Sequence, residues 1–208
     1  MEGADYVRAG KWKTWGPLLL LGPDVHGATV GIIGFGRIGR EVAKRARGFD
    51  MRILYHDVNR ASPEDEAALG AEHAELAQLL RESDFVSLHV NLTEETRGLL
   101  DAAAFEQMKP TAIVINTARG PVIDHDALRD ALTSGRIGGA ALDVTDPEPI
   151  PPDDPLVSMP NCLIVPHIAS ASGRTRGRMA EIAARNLLAG LTGESLPHPV
   201  NPDVTPRR

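Results

Sequence analysis

The stretch ATVGIIGFGRIGREVA, residues 28–43, decides the fold. A short apolar run, ATVGII (28–33), leads straight into Gly34-Phe35-Gly36-Arg37-Ile38-Gly39, and an amphipathic helical pattern runs from Ile38 to Arg47. Strand, glycine turn and helix in that order are the context a dinucleotide-binding turn requires. Gly34 permits the tight turn, Gly36 lets a pyrophosphate approach the backbone, and Gly39 lets the helix pack closely on the strand. The helix N-terminus then offers unpaired N–H groups and the positive end of its dipole to phosphates. Phe35, Arg37 and Ile38 complete the turn and join the three glycines as candidate cofactor-binding residues. A glycine-rich turn without a ligand is the bland alternative. Asp57 argues against it: 18 residues past Gly39 and just behind the run MRILY (51–55), it stands where a carboxylate accepts hydrogen bonds from an adenosine ribose. That carboxylate repels a 2′-phosphate and favours NAD, whereas Arg60, close behind, keeps NADP open.

Outward from this turn the chain alternates between apolar runs and helical patterns. DFVSLHV (84–90), TAIVIN (111–116), GAALDV (139–144) and CLIVP (162–166) read as further strands. They are short, continuous and rich in Val, Ile and Leu, as strands covered on both faces are. Helical patterns span 74–81, 102–108, 125–133 and about 173–191, with Pro110, Gly135 and Gly190 as stops. This alternation predicts an α/β fold, a doubly wound parallel sheet of Rossmann type with right-handed crossovers. The prolines of DPEPIPPDDP (146–155) preclude helix there, and a proline-rich tail begins at Pro197.

Three more segments place reactive side chains behind strands. Arg119, in NTARG, follows TAIVINT, and Gly120 allows a sharp exit; a planar guanidinium at that edge suits a carboxylate. A surface arginine paired with an acid is its plainer reading. His167 follows CLIVP and, titrating near neutral pH, can deliver a proton to an oxygen. Taken alone it is weak, because the chain has seven histidines. Glu148 sits in an acidic, proline-rich loop whose bland reading is solvent exposure. Strands GAALDV and CLIVP deliver their ends to the same rim, however, and a carboxylate beside His167 would favour the imidazolium. Asp143, ending its strand, could hold the nicotinamide carboxamide or ribose. Asn91 and Thr117, each directly behind a strand, complete the candidate cofactor-binding set.

Composition bounds the rest. With 208 residues, 42% of them hydrophobic, the chain can bury a substantial core. A net charge of −6 argues against a nucleic-acid or anionic-membrane surface. Cys162 is the single cysteine, so no internal disulfide, thiolate cluster or zinc ribbon forms, and no metal site is expected. In CLIV it reads as a buried structural thiol rather than a nucleophile. The opening MEGADYVRAGKWK is polar, and the apolar run 18–21 is far too short to span a bilayer. A cytoplasmic location is the expectation.

VGIIGFGRIGREVA, INTARGPVIDHDAL, ALDVTDPEPIP, NCLIVPHIAS and NLLAGLTGESLPHPVNP together resemble the D-isomer-specific 2-hydroxyacid dehydrogenases, most closely their glyoxylate/hydroxypyruvate reductase branch. The combination covers nearly the whole chain and is far more specific than any one piece. The resemblance implies catalytic roles for Arg119 as substrate binder, His167 as acid/base and Glu148 as its partner. It also implies hydride transfer from NAD(P)H to a small 2-oxo acid, and a homodimer in which the arm AGKWKTWGPLLLLG, with Trp12 and Trp15, packs on a second copy. Family members begin with a substrate domain. The resemblance places Met1 inside the helix linking that domain to the cofactor domain, so the N-terminal part of the substrate domain is expected to be missing. The expected organisation is a linker helix and arm over 1–27, a dinucleotide-binding catalytic domain over 28–172, and a C-terminal helix and tail over 173–208. A dinucleotide-binding sensor or interaction module without turnover is the alternative reading.

Overall fold

Neighbouring residues of single strands supply two different cores. The structure is a computed structural model and describes residues 2–201; Met1 and the end of the expected tail, 202–208, lie outside the described residues. The chain divides into two compact units, one ending at Pro166 and one beginning at His167.

The first unit holds a seven-stranded parallel sheet. Its strands are β1 (Thr29–Ile33), β2 (Arg52–His56), β3 (Ala71–His73), β4 (Phe85–Leu88), β5 (Ile113–Asn116), β6 (Gly139–Leu142) and β7 (Cys162–Ile164), in the order β3-β2-β1-β4-β5-β6-β7. Val30 and Ile32 of β1 and Ile53 and Tyr55 of β2 enter one buried cluster with Phe35, Ala43 and Ala46. Ile33 and Leu54, pointing the other way, enter a second with Val86, Leu88, Phe105, Val114 and Leu128. Side chains alternate across a strand, so a sheet covered on both faces needs continuous apolar runs.

The helices of this unit are α1 (Glu2–Arg8), α2 (Arg37–Ala46), α3 (Pro63–Leu69), α4 (Leu76–Glu82), α5 (Ala102–Phe105), α6 (His125–Thr133) and α7 (Pro155–Ser158). Side chains cap four of their starts: Ser62, Asp101, Asp124 and Asp154 accept from the backbone N–H groups of Asp65, Ala104, Ala127 and Leu156. Each such cap contributes about 1 kcal/mol.

Several expectations shift at their edges. β3 and α3 are additional to the six strands and five helices read from sequence. α7 starts at Pro155, the last residue of the stretch read as non-helical, because proline at the first helical position loses no hydrogen bond. In the second unit α8 (Gly173–Thr192) passes through Gly190 and stops at Gly193, whose φ of 77° is left-handed. Ser172 caps its start by accepting from the Thr175 N–H at 3.1 Å. The tail folds back on α8 through Asn186, which donates to the His198 carbonyl at 2.7 Å and accepts from its N–H at 3.0 Å. Among the described residues no helix is long and apolar enough to cross a membrane.

Candidate functional site

Doubly wound sheets bind ligands beyond the carboxyl ends of their strands, where the winding direction reverses. Here the reversal lies between β1 and β4. The glycine turn fills it. Gly34 has φ 94°, and a β-carbon there would stand 2.6 Å from the His89 carbonyl carbon, so the turn lies directly on the backbone leaving β4. The Gly34 N–H donates to the His56 carbonyl at 2.9 Å, and the His89 N–H to the Ile33 carbonyl at 2.7 Å. Both neighbouring strand ends therefore hold the turn.

Asp57 joins that arrangement through its carboxylate. Its Oδ2 accepts from the Phe35 N–H at 2.6 Å and its Oδ1 from the Asn59 N–H at 2.8 Å. Phe35 gives the turn only its backbone; its ring is buried and stacks on Tyr55, centroids 4.0 Å apart. Gly36, Arg37 and Ile38 are exposed, and Gly39 is buried against the strand side.

The turn fits a dinucleotide pyrophosphate. A β-carbon placed on Gly36 meets nothing within 4 Å, and α2 starts there with no side-chain cap among the described residues. Its first N–H groups thus have no capping side chain among the described residues and the helix dipole behind them. Asp57 is the group suited to the adenosine ribose.

Beyond β5, the buried Asn116 shapes the next rim segment. Its Oδ1 accepts from the Ala118 N–H at 3.0 Å and its Nδ2 donates to the Arg119 carbonyl at 2.9 Å. Thr117 and Arg119 are exposed, and Arg119 Nη1 donates to the Ala118 carbonyl at 2.6 Å. Asn91, also exposed, follows β4, and its carbonyl accepts from the Thr96 hydroxyl at 2.7 Å. Asp143, behind β6, is buried, and its N–H donates to the Asn116 carbonyl at 2.9 Å.

The loop bearing Glu148 is fastened at three points. A β-carbon on Gly120 would overlap the Thr145 carbonyl, so the turn after Arg119 rests on the start of this loop. The Thr145 hydroxyl donates to the Pro147 carbonyl at 2.8 Å, and the Asp146 N–H donates to His125 Nδ1 at 3.4 Å. Glu148 itself is exposed, between cis Asp146–Pro147 and Glu148–Pro149 bonds.

The structure thus brings together Gly34, Phe35 and Asp57 in one hydrogen-bonded group, and the Arg119 and Glu148 segments in another. His167 opens the second unit, with a left-handed φ of 51° and its carbonyl accepting from Arg176 Nη2 at 3.4 Å. The sequence alone singles out none of Asn116, His125 and His89. Burial pushes both histidines below their ordinary value; at His125 the nearby Asp146, Asp154 and Asp124 oppose that shift. Burial, with Asp154 adding to it, pushes the Cys162 thiol up to about 11.

Residues 1–169 match the model of the D-isomer specific 2-hydroxyacid dehydrogenase NAD-binding domain. The chain belongs to that family. Within this dehydrogenase family it is 54% identical over 205 residues to a glyoxylate reductase of Korarchaeum cryptofilum, covering 98% of this chain and 61% of the relative. It is 44% identical to a glyoxylate reductase/hydroxypyruvate reductase of Mus musculus, covering 94% and 60%. The crystal structure of D-lactate dehydrogenase with NAD+ from Lactobacillus jensenii superposes with a TM-score of 0.84 at 31% identity, covering 96% of this chain and 63% of that one. The chain spans about three fifths of the length of the curated relatives it matches. The NAD-binding family domain and the NAD-bound neighbour make NAD the cofactor.

Proposed function

We propose that this chain is the cofactor-binding and catalytic domain of an NADH-dependent reductase of small 2-oxo acids of the glyoxylate and hydroxypyruvate type. The observation that carries this reading is the rim itself: the phosphate turn, Asp57, Arg119 and the Glu148 loop all leave the carboxyl edge of one sheet. The relatives at about half identity are a glyoxylate reductase and a glyoxylate reductase/hydroxypyruvate reductase, which supports the same substrate class.

When bound, the reduced nicotinamide supplies hydride to the carbonyl carbon of the acid. Arg119 binds the substrate carboxylate, for which its two-pronged guanidinium is the matching shape. His167 gives a proton to the carbonyl oxygen as negative charge develops there. Glu148 is its acidic partner, as the family resemblance implies. Asp143 orients the nicotinamide end, and Asn91 and Thr117 line the cofactor path.

The working form we infer is a cytoplasmic homodimer. Its support is the arm, where Trp12, Trp15, Leu18 and Leu21 are 60%, 78%, 80% and 72% exposed. Apolar side chains exposed together in one segment mark an interaction surface, here assigned to a second copy.

NADH-dependent glyoxylate reduction, measured on the chain together with a substrate lobe, tests the pairing. Glu148→Gln should lower kcat and leave NADH binding intact, as expected of a group that acts on proton transfer and not on the cofactor. A kcat unmoved by Glu148→Gln would return Glu148 to the role of a solvated loop residue.

A further inference from the structure

The loop behind Asp57 contains the arginine that would suit a 2′-phosphate, and the structure keeps it occupied. Arg60 forms a two-pronged ion pair with Glu66, Nε to Oε1 at 3.0 Å and Nη2 to Oε2 at 3.2 Å. The two side chains differ in exposure: that of Arg60 is 66% exposed and that of Glu66 only 16%. Glu66 is the anchored member. The Tyr55 hydroxyl donates to its Oε1 at 2.6 Å and accepts from the Ala61 N–H at 3.0 Å. Tyr55 is fully buried and stacked on Phe35 of the phosphate turn. The carboxylate is thus aimed from the core outward at the loop. The Arg60 guanidinium, with the Tyr55 hydroxyl second, holds the Glu66 carboxyl below the usual carboxylate range.

Glu66 is not alone in this. Asp65, beside it in the acidic first turn of α3, pairs with Arg40 at 2.5 Å, and Arg40 Nε also donates to the Phe35 carbonyl at 3.1 Å. So α3 supplies a carboxylate to Arg40, which holds the Phe35 carbonyl, and another to Arg60.

We propose that Glu66 is a specificity-determining residue for the dinucleotide: by holding Arg60 in a two-pronged pair it denies that guanidinium to a 2′-phosphate, reinforcing the choice of NAD that Asp57 makes directly. The proposal rests on the reading of this rim as a dinucleotide site. Asp57 acts by repulsion and Glu66 by sequestration, so the two are separable. A guanidinium released from Glu66 keeps its charge and its fork, and both suit a phosphate monoester.

The experiment is a fluorescence titration of the 208-residue chain with NADH and with NADPH. Wild type, Glu66→Gln, Arg60→Ala and the double variant are compared, each first checked for an unchanged unfolding midpoint. Glutamine keeps an acceptor for the Tyr55 hydroxyl while giving up the charge that holds Arg60. The expected result is an NADPH Kd about tenfold tighter in Glu66→Gln, the scale of one charge-assisted contact, with the NADH Kd within about twofold of wild type. The gain should vanish in the double variant, and Arg60→Ala alone should leave both Kd values as they are. An unchanged NADPH-to-NADH ratio in Glu66→Gln, a gain that survives in the double variant, or weaker NADPH binding in Arg60→Ala would each overturn the proposal. Failure of wild type to bind either dinucleotide would overturn the underlying reading and this proposal with it.

Discussion

Gly120 and Thr145 stand so close that no β-carbon fits between them: the atom would overlap the Thr145 carbonyl. Through this contact the segment carrying Arg119 and the loop carrying Glu148 become one construction, although they leave different strands. The neighbour is backbone and cannot swing aside. Gly120→Ala should therefore cost about 1–3 kcal/mol, the usual penalty of overpacking, read as a lower urea midpoint. The phosphate turn lies on other strands, so NADH affinity should stay within about twofold. A Gly120→Ala variant as stable as wild type would mean that the two segments are not in contact.

Acid should weaken the fold through His89 and His125. Burial lowers both, so each is neutral in the folded chain at a pH where the unfolded chain binds a proton. The sign follows: their contribution is fully present above the unfolded value, about 6.5, and is lost as pH falls from there toward the folded values. His125 Nδ1 accepts from the Asp146 N–H, so the neutral ring carries its hydrogen on Nε2 and acid must add the second proton at Nδ1, against a donor. Asp124, Asp146 and Asp154, which face it, soften the loss. Urea midpoints from pH 7.5 to 5 should fall less steeply in His89→Gln/His125→Gln than in wild type. Equal slopes would contradict the assignment.

The thiol prediction is simpler. With Cys162 pushed up to about 11, almost none of it is thiolate at neutral pH, and the thiolate is the reactive form. Native chain at pH 7.5 should react with iodoacetamide far more slowly than the urea-unfolded chain. Equal rates would show the thiol to be free and normally acidic.

How much of this is legible in the sequence follows from how local each signal is. The phosphate turn, its strand and its helix are contiguous, so residues 28–47 read directly. β3 does not. Ala71-Glu72-His73 is an edge strand of three residues with an exposed Glu72, too short and too polar to show a period. α3 has its signature in Ser62 and Pro63, a cap followed by proline, but its seven residues bury none of their side chains and make no apolar stripe. Gly190 reads as a stop and is not one: a glycine within a helix costs only about 1 kcal/mol, and the helix runs on to Thr192 before Gly193 takes the left-handed conformation that ends it.

Of the candidate site, the residue types at strand ends are legible and their supports are not. His125 receiving the Asp146 N–H depends on which strands become neighbours, whereas Asn116 bracing Ala118 and Arg119 and Glu66 holding Arg60 depend on how each short segment turns back on itself. Backbone path, not composition, creates those contacts. In the sequence Gly120 reads as freedom for a turn; the structure makes it a point of close approach.

The central claim is that this domain carries the proton-transfer residue of a 2-oxo acid reductase. Its most direct test is the loss of NADH absorbance at 340 nm with glyoxylate or hydroxypyruvate, using the chain joined to a substrate lobe, in wild type and in His167→Ala. The 208-residue chain alone should bind NADH yet turn over weakly, because misplacement of about 1 Å can cost on the order of a hundredfold in rate. The joined wild type should consume NADH at a sharply higher kcat/KM, and His167→Ala should abolish it while leaving NADH binding intact. Turnover that survives His167→Ala, or a joined protein that binds NADH but never oxidises it with either acid, would contradict the account.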